Sequence, residues 1–156
     1  ADAVLSICST VADIAYSMQD AAKYIGVPIV MINEEMCREA VRRGEQIAVM
    51  ATFPTAIAPT KNTLLRVARE MGKPIEVREV LVEGGFSLDQ EQFKALMEAK
   101  AGEVAEQTDV FLFAQGSMAY CEKYIADMYH KTVLSNPYFG AKALKDALVA
   151  KGCLKD

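Results

Sequence analysis

One cysteine stands where a reactive side chain would be expected. Cys8 ends the apolar run Val4–Cys8 and is followed at once by Ser9 and Thr10. A thiol at the end of a strand and just before a helix lies near free backbone N–H groups and the positive end of the helix dipole. Such a thiol can serve as a general base or a nucleophile. Strand-end cysteines also occur simply as packing residues, so position alone leaves both interpretations open.

A second segment repeats this design later in the chain. The apolar run Asp109–Ala114 is followed by Gln115, Gly116 and Ser117. Gly116 allows a close backbone approach, and Ser117 can cap a helix or join an anion hole. Gln115 donates and accepts hydrogen bonds but transfers no proton at neutral pH. If both strand ends face one cleft, Cys8 and Gln115 lie opposite each other across it.

Hydroxyl groups follow a third apolar run. Thr52 and Thr55 come directly after Gln46–Ala51. Free N–H groups and hydroxyls at a strand-to-helix junction suit a carboxylate or a phosphate. The alternative is that Thr55 or Thr60 only caps a helix.

The elements that must position these residues alternate along the chain. Strand-like apolar runs occur at Val4–Cys8, Pro28–Ile32, Gln46–Ala51, Ile75–Val82, Asp109–Ala114 and Thr132–Leu134. Helical patterns occupy Ala12–Ile25, Glu34–Arg43, Thr60–Met71, Gln90–Glu106, Ser117–Tyr129 and Tyr138–Lys151. This alternation predicts an α/β fold of βαβ units around a mainly parallel sheet, in which ligands bind beyond the carboxyl ends of the strands.

Composition narrows the function classes. Lys and Arg are scattered and the net charge is −4, so nucleic acid is not expected as a partner. No apolar run is long enough to span a membrane and no leader pattern is present, so we expect a cytoplasmic protein. The four cysteines form no CxxC pair and there is one histidine, which argues against a zinc site. His130, Cys37, Cys121 and Cys153 are interpreted as structural or surface residues.

Taken together, Ile7–Thr10, Ile47–Thr55 and Asp109–Met118 resemble segments of the aspartate/glutamate racemase superfamily, which includes hydantoin racemases, maleate isomerases and arylmalonate decarboxylases. The resemblance implies two similar α/β halves with the active site between them, and catalysis without a metal or any other cofactor. In the racemases two cysteines flank the substrate α-carbon. Cys8 matches the first, whereas Gln115 stands where the second would be.

The resemblance also implies roles for the other candidate residues. Substrate carboxylate binding maps onto Ser9, Thr10, Thr52, Thr55, Gly116 and Ser117, and Cys8 and Gln115 flank the reacting carbon. We therefore expect racemase- or isomerase-type proton transfer at the α-carbon of a small carboxylate, an amino acid or a dicarboxylate. The alternatives are a one-cysteine lyase resembling the decarboxylases, a protein that binds a small acid without turnover, an inactive fragment and, with less support, a flavodoxin-like nucleotide-binding domain.

The resemblance further predicts how the halves are divided. Residues 1–45 with 131–156 would form the remainder of the first half, and 46–130 the second half. Members of the superfamily usually have a βα stretch before the first cysteine strand, so we expect that the chain is truncated at its amino end. A homo-oligomer is also expected.

Overall fold

The α/β architecture is confirmed in the computed structural model, which describes residues 1–155. Within these residues the strands are β1 (Val4–Ser6), β2 (Ile29–Met31), β3 (Gln46–Ala51), β4 (Glu76–Leu81), β5 (Val110–Phe113) and β6 (Thr132–Ser135). The α-helices are α1 (Ala12–Tyr24), α2 (Glu34–Arg43), α3 (Pro54–Glu70), α4 (Gln90–Gly102), α5 (Glu122–Tyr129) and α6 (Asn136–Ala150). Each of the six predicted strands is present, with ends shifted by at most two residues.

Four strands form a parallel sheet in the order β4-β3-β5-β6. Its central strands are buried on both faces, because helices cover each side. Side chains of one face, such as Val49 and Leu112, pack with α2 and α3. Side chains of the other face, such as Met50 and Phe111, pack with α4 and α5. This double burial explains why β3 and β5 are almost continuous apolar runs.

The remaining two strands form a separate small sheet. β1 pairs with β2 in parallel, with Val4 opposite Ile29 and Ser6 opposite Met31. The adjoining α1 has the predicted helical conformation, but its large apolar residues Ile14 and Met18 are exposed. The face that α1 buries is made of small residues instead, Ala12, Ala15 and Ala22. Small side chains let the helix approach closely, so this packing buries little apolar area for each residue.

Several helix boundaries differ from the prediction. The third helix starts at Pro54 instead of Thr60, because proline is well suited to the first helical turn and Pro59 is tolerated farther inside. The predicted helix over residues 117–129 is divided into a 3₁₀ segment, Gly116–Cys121, and α5. The predicted helix Gln90–Glu106 ends earlier, at Gly102, and a 3₁₀ turn follows at Ala105–Gln107.

The predicted division into halves assigns residues 131–156 to the first half. In the described part, β6 pairs with β5 in the four-stranded sheet. The next element, α6, contacts β1, β2 and α2. The two halves therefore stay a prediction. Across residues 1–155, no helix is both long and apolar enough to cross a membrane.

Candidate functional site

Five predicted site residues come together around one cavity. It has a volume of about 180 Å³ and lies where the turn after β1 meets the ends of β3 and β5. We call it the Cys8 cavity. Its lining residues are Ile7, Cys8, Ser9, Thr10, Phe53, Ala56, Ala114, Gln115 and Gly116. Cys8 and Gln115 thus line the same space, as expected if the ends of their strands face one cleft.

Cys8 carries the exposed thiol of this cavity. The residue lies two positions beyond β1 in extended backbone conformation, and the 3₁₀ turn Ser9–Val11 begins directly after it. Its carbonyl accepts a hydrogen bond from the N–H of Val11 at 3.2 Å, which closes the turn. The thiol is free and solvent-accessible. A reagent or substrate entering the cavity can therefore reach the sulfur atom.

Ser9 joins the Cys8 turn to the four-stranded sheet. Its Oγ donates a hydrogen bond to the Ala114 carbonyl at 2.6 Å, and the residue is buried. The same carbonyl accepts a bond from Asn136 Nδ2 at 3.3 Å. Because the Ser9 hydroxyl proton is already engaged, this residue positions Cys8 and is not a free donor for a ligand.

Gln115 is held by Thr52. The backbone N–H and the Oγ1 hydroxyl of Thr52 both donate to Gln115 Oε1, at 2.6 and 2.9 Å. A backbone N–H can only donate, so the amide atom facing Thr52 must be the oxygen. The Nε2 hydrogens of Gln115 then remain for a ligand. Gln115 therefore gives the Cys8 cavity a fixed neutral donor.

The backbone after Gln115 is also arranged to donate. Gly116 and Ser117 open a 3₁₀ segment, and the first N–H groups of a helix have no acceptor within it. A side chain at position 116 would bring its Cβ within 3.2 Å of Asn136 Oδ1 and 3.4 Å of Pro137 Cγ, so this position suits glycine. Ser117 does not cap the helix, contrary to the capping alternative.

Thr10, Thr52 and Thr55 occupy three different settings. Thr10 lines the Cys8 cavity, whereas Thr52 lines a neighbouring pocket together with Ser117. Thr55 is exposed in the first turn of α3 and lines neither space. The suggested cap by Thr55 or Thr60 is wrong, because the cap position is Phe53 and Thr60 bonds to Ala56 O inside the helix.

Asn136 belongs to the site although the sequence analysis did not identify it. It follows β6 directly, is buried, and its Oδ1 lacks a hydrogen-bond partner among the described residues. The residue holds the Ala114 carbonyl and borders Gly116. Its position directly after a strand is the same sequence signal that points to Gln115.

No second thiol faces Cys8 within residues 1–155. Cys121 is the buried last residue of the 3₁₀ segment, and burial raises the pKa of its thiol. Cys37 lies on the buried face of α2, where burial likewise raises the pKa of its thiol. Cys153 is exposed near the carboxyl end of the described chain. His130 ends α5 in a left-handed conformation. The described residues contain no group of three or more His, Cys, Asp or Glu side chains able to hold a metal.

Searches with this sequence against protein-family models and against curated proteins find no match. Solved structures do match. The glutamate racemase isoform RacE1 from Bacillus anthracis has a TM-score of 0.75 and 17% identity, over 99% of this chain and 60% of that one. Allantoin racemase from Klebsiella pneumoniae has a TM-score of 0.67 and 13% identity, over 99% and 62%. The fold is of the aspartate/glutamate racemase type.

Arylmalonate decarboxylase is similar as well, with a TM-score of 0.62 and 13% identity over 97% of this chain and 69% of that chain. The structural neighbours thus include racemases and a decarboxylase. This chain spans about 60% of the length of the glutamate racemases that it matches. At these identities the likeness establishes the shared fold.

Proposed function

We propose that this chain carries out cofactor-independent proton transfer at the α-carbon of a small carboxylate, with Cys8 as the single acid/base. The observation that carries the proposal is the Cys8 cavity. Cys8, which is exposed, and Gln115, whose Oε1 is held by Thr52, both line it near the carboxyl ends of parallel strands. That edge is where ligands bind in sheets of this kind. The structural neighbours include a racemase and a decarboxylase, which is consistent with this chemistry.

The proposed step needs few groups. The Cys8 thiolate removes the α-proton, so the C–H bond breaks, an S–H bond forms, and the electron pair passes into the carboxylate to give an enediolate. Gln115 Nε2 and the N–H groups of Gly116 and Ser117 would bind the developing negative charge. The thiol then returns a proton to the α-carbon. Positioned acid–base groups typically contribute about 10²–10⁴-fold in rate.

A one-cysteine lyase is the second candidate, favoured because Gln115, which transfers no proton, lines the same cavity as Cys8. In that reaction a C–C bond to a carboxylate breaks and releases CO₂, and the electron pair stays behind as an enediolate. The Cys8 S–H then donates its proton to the α-carbon from one face. Both candidates need one proton carrier, whereas two-thiol racemisation needs a second one, which Gln115 does not supply.

The test is α-deuteration in D₂O with a panel of amino acids, dicarboxylic acids and substituted malonates. We expect exchange or decarboxylation to fall by at least about 100-fold in Cys8→Ser. Cys153→Ser is the matched control, because it removes the other exposed thiol and should leave the rate unchanged.

The other outcomes separate the alternatives. Exchange that persists in Cys8→Ser would refute the assigned role of Cys8. No turnover of any acid, with thermal stabilisation by one of them, would instead indicate a small-acid-binding protein.

A further inference from the structure

A second cavity adjoins the candidate site and is walled by rings. It has a volume of about 210 Å³ and is lined by Thr52, Gly85, Phe86, Leu88, Phe93, Ser117 and Tyr120. We call it the aromatic pocket. Phe86 is 76% exposed and Tyr120 is 42% exposed, so large ring surfaces remain open to solvent. An apolar cavity of roughly 150 Å³ is enough to bind benzene.

Two contacts connect the aromatic pocket with the Cys8 cavity. Thr52 lines the aromatic pocket and donates both of its hydrogen bonds to Gln115 Oε1 in the Cys8 cavity. Phe53 lines the Cys8 cavity, and its ring centroid lies 5.4 Å from that of Phe86 in the aromatic pocket. A molecule whose carboxylate binds near Gln115 therefore has a ring-lined space within reach of its side chain.

The charges around these cavities disfavour a second carboxylate. No Lys, Arg or His is among the described residues that line either cavity. Burial raises the pKa of the Tyr120 phenol, and Cys121, Glu91 and Asp89 add to the rise. A side-chain carboxylate would lose water there without gaining a cation, which is costly.

Residue 85 lies tightly against the wall of the pocket. A Cβ there would lie 2.6 Å from the Phe93 ring and 3.3 Å from Thr52 Cγ2, so this position requires glycine. The Phe93 ring centroid lies 6.0 Å from that of Tyr120. The walls are therefore set by rings, which bind another ring in tilted or offset geometry.

We infer that the substrate carries one carboxylate at the reacting carbon and an uncharged, ring-sized side chain that binds in the aromatic pocket. This inference rests on the proposed function and specifies its substrate class. It favours an aryl-substituted acid over a dicarboxylic amino acid. Phe86 is the residue expected to determine this preference, since its ring is exposed and has no structural role in the core.

The test measures equilibrium binding to the full chain carrying Cys8→Ser, so that turnover cannot interfere. Phenylglycine and aspartate are the probes, because they share the amino and carboxylate groups and differ in the side chain. We expect phenylglycine to bind at least about tenfold more tightly than aspartate. Adding Phe86→Ala should weaken phenylglycine binding about tenfold and leave aspartate binding unchanged.

Two further variants control the comparison. Phe86→Leu keeps an apolar side chain and should retain part of the phenylglycine affinity. Tyr24→Ala removes another exposed ring, 93% accessible and outside both cavities, and should change nothing. Thermal unfolding verifies that each variant is folded.

The outcomes are distinct from those of the proposed function. Aspartate binding as tightly as phenylglycine, equal weakening of both by Phe86→Ala, or binding of neither would overturn the inference. Failure of the proposed reaction would appear in the wild-type exchange assay instead. Selective phenylglycine binding without any exchange would support the pocket assignment and refute the reaction.

Discussion

The two sides of the Cys8 cavity differ in how rigidly the surrounding structure holds them. Gln115 and Thr52 follow strands of the four-stranded sheet, whose central strands are buried on both faces. Cys8 follows a three-residue strand in a two-stranded sheet, beside a helix with exposed Ile14 and Met18. A two-stranded sheet is marginally stable by itself. The neutral donor is therefore fixed firmly, whereas the thiol depends on contacts that cross the cavity.

The largest expected difference between the two sides is in core packing. Phe111→Ala empties a fully buried position in the four-stranded sheet and should lower the free energy of unfolding by about 3–5 kcal/mol. Met18→Ala on the exposed face of α1 should change it by no more than about 0.5 kcal/mol. Urea unfolding of both variants measures the contrast. Equal losses would show that α1 is as tightly packed as the sheet.

The hydrogen bonds of Gln115 test the rigid side. Gln115→Ala leaves the Thr52 N–H without its acceptor, which should cost about 1–3 kcal/mol of unfolding free energy. Thr52→Ser keeps both the N–H and a hydroxyl and is the matched control, with a smaller loss. Chemical denaturation measures both variants. A Gln115→Ala variant as stable as wild type would mean that the amide is not held in this way.

The bond from Ser9 to Ala114 tests the contact between the sides. Ser9→Ala should lower the free energy of unfolding by about 0.5–1.5 kcal/mol and speed the reaction of Cys8 with a thiol reagent, because the turn is released from the sheet. Ser17→Ala removes a similar hydroxyl-to-carbonyl bond that lies within α1 and should leave Cys8 reactivity unchanged. If both variants react alike, Ser9 does not position Cys8.

The smallest expected effect lies at the opposite end of the four-stranded sheet. The N–H groups of Gln46 and Glu45 donate to Asp109 and lower its pKa. A carboxylate with a lowered pKa stabilises the fold above its unfolded pKa of about 3.9, and this contribution is lost as pH falls through the folded pKa. Asp109→Asn should therefore cost less than about 1 kcal/mol at pH 7, because the group is exposed.

The measurement is urea unfolding of wild type and Asp109→Asn at several pH values between 7 and the acid range. The difference between them should shrink in acid. A difference that stays constant with pH would indicate that the carboxylate charge is not involved.

The strands were predictable because their signal is burial, and burial leaves continuous apolar runs such as those of β3 and β5. The start of α3 differs from the predicted Thr60, because apolar spacing alone does not show that Pro54 opens the helix in its first turn. Spacing identified α1 as a helix, but it did not reveal that the helix buries its alanines and exposes Ile14.

The candidate site was likewise predictable in part. Its location followed from the strand ends, which are local features of the sequence. The partners of its side chains did not, because the bonds Ser9–Ala114 and Thr52–Gln115 join residues 105 and 63 positions apart. Which group donates to which depends on the final packing. Ser9 and Thr52 consequently have positioning roles that their residue types alone did not indicate.

The proposed division of roles is that Cys8 alone transfers the proton while Gln115 only donates hydrogen bonds. The test gives the same enantiopure substrate in D₂O to the wild type and to Gln115→Cys. Deuterium content and optical rotation are followed together for each protein. The wild type should exchange the α-proton and retain configuration, and Gln115→Cys should lose optical activity as exchange proceeds. Wild type that racemises as fast as it exchanges would contradict the account.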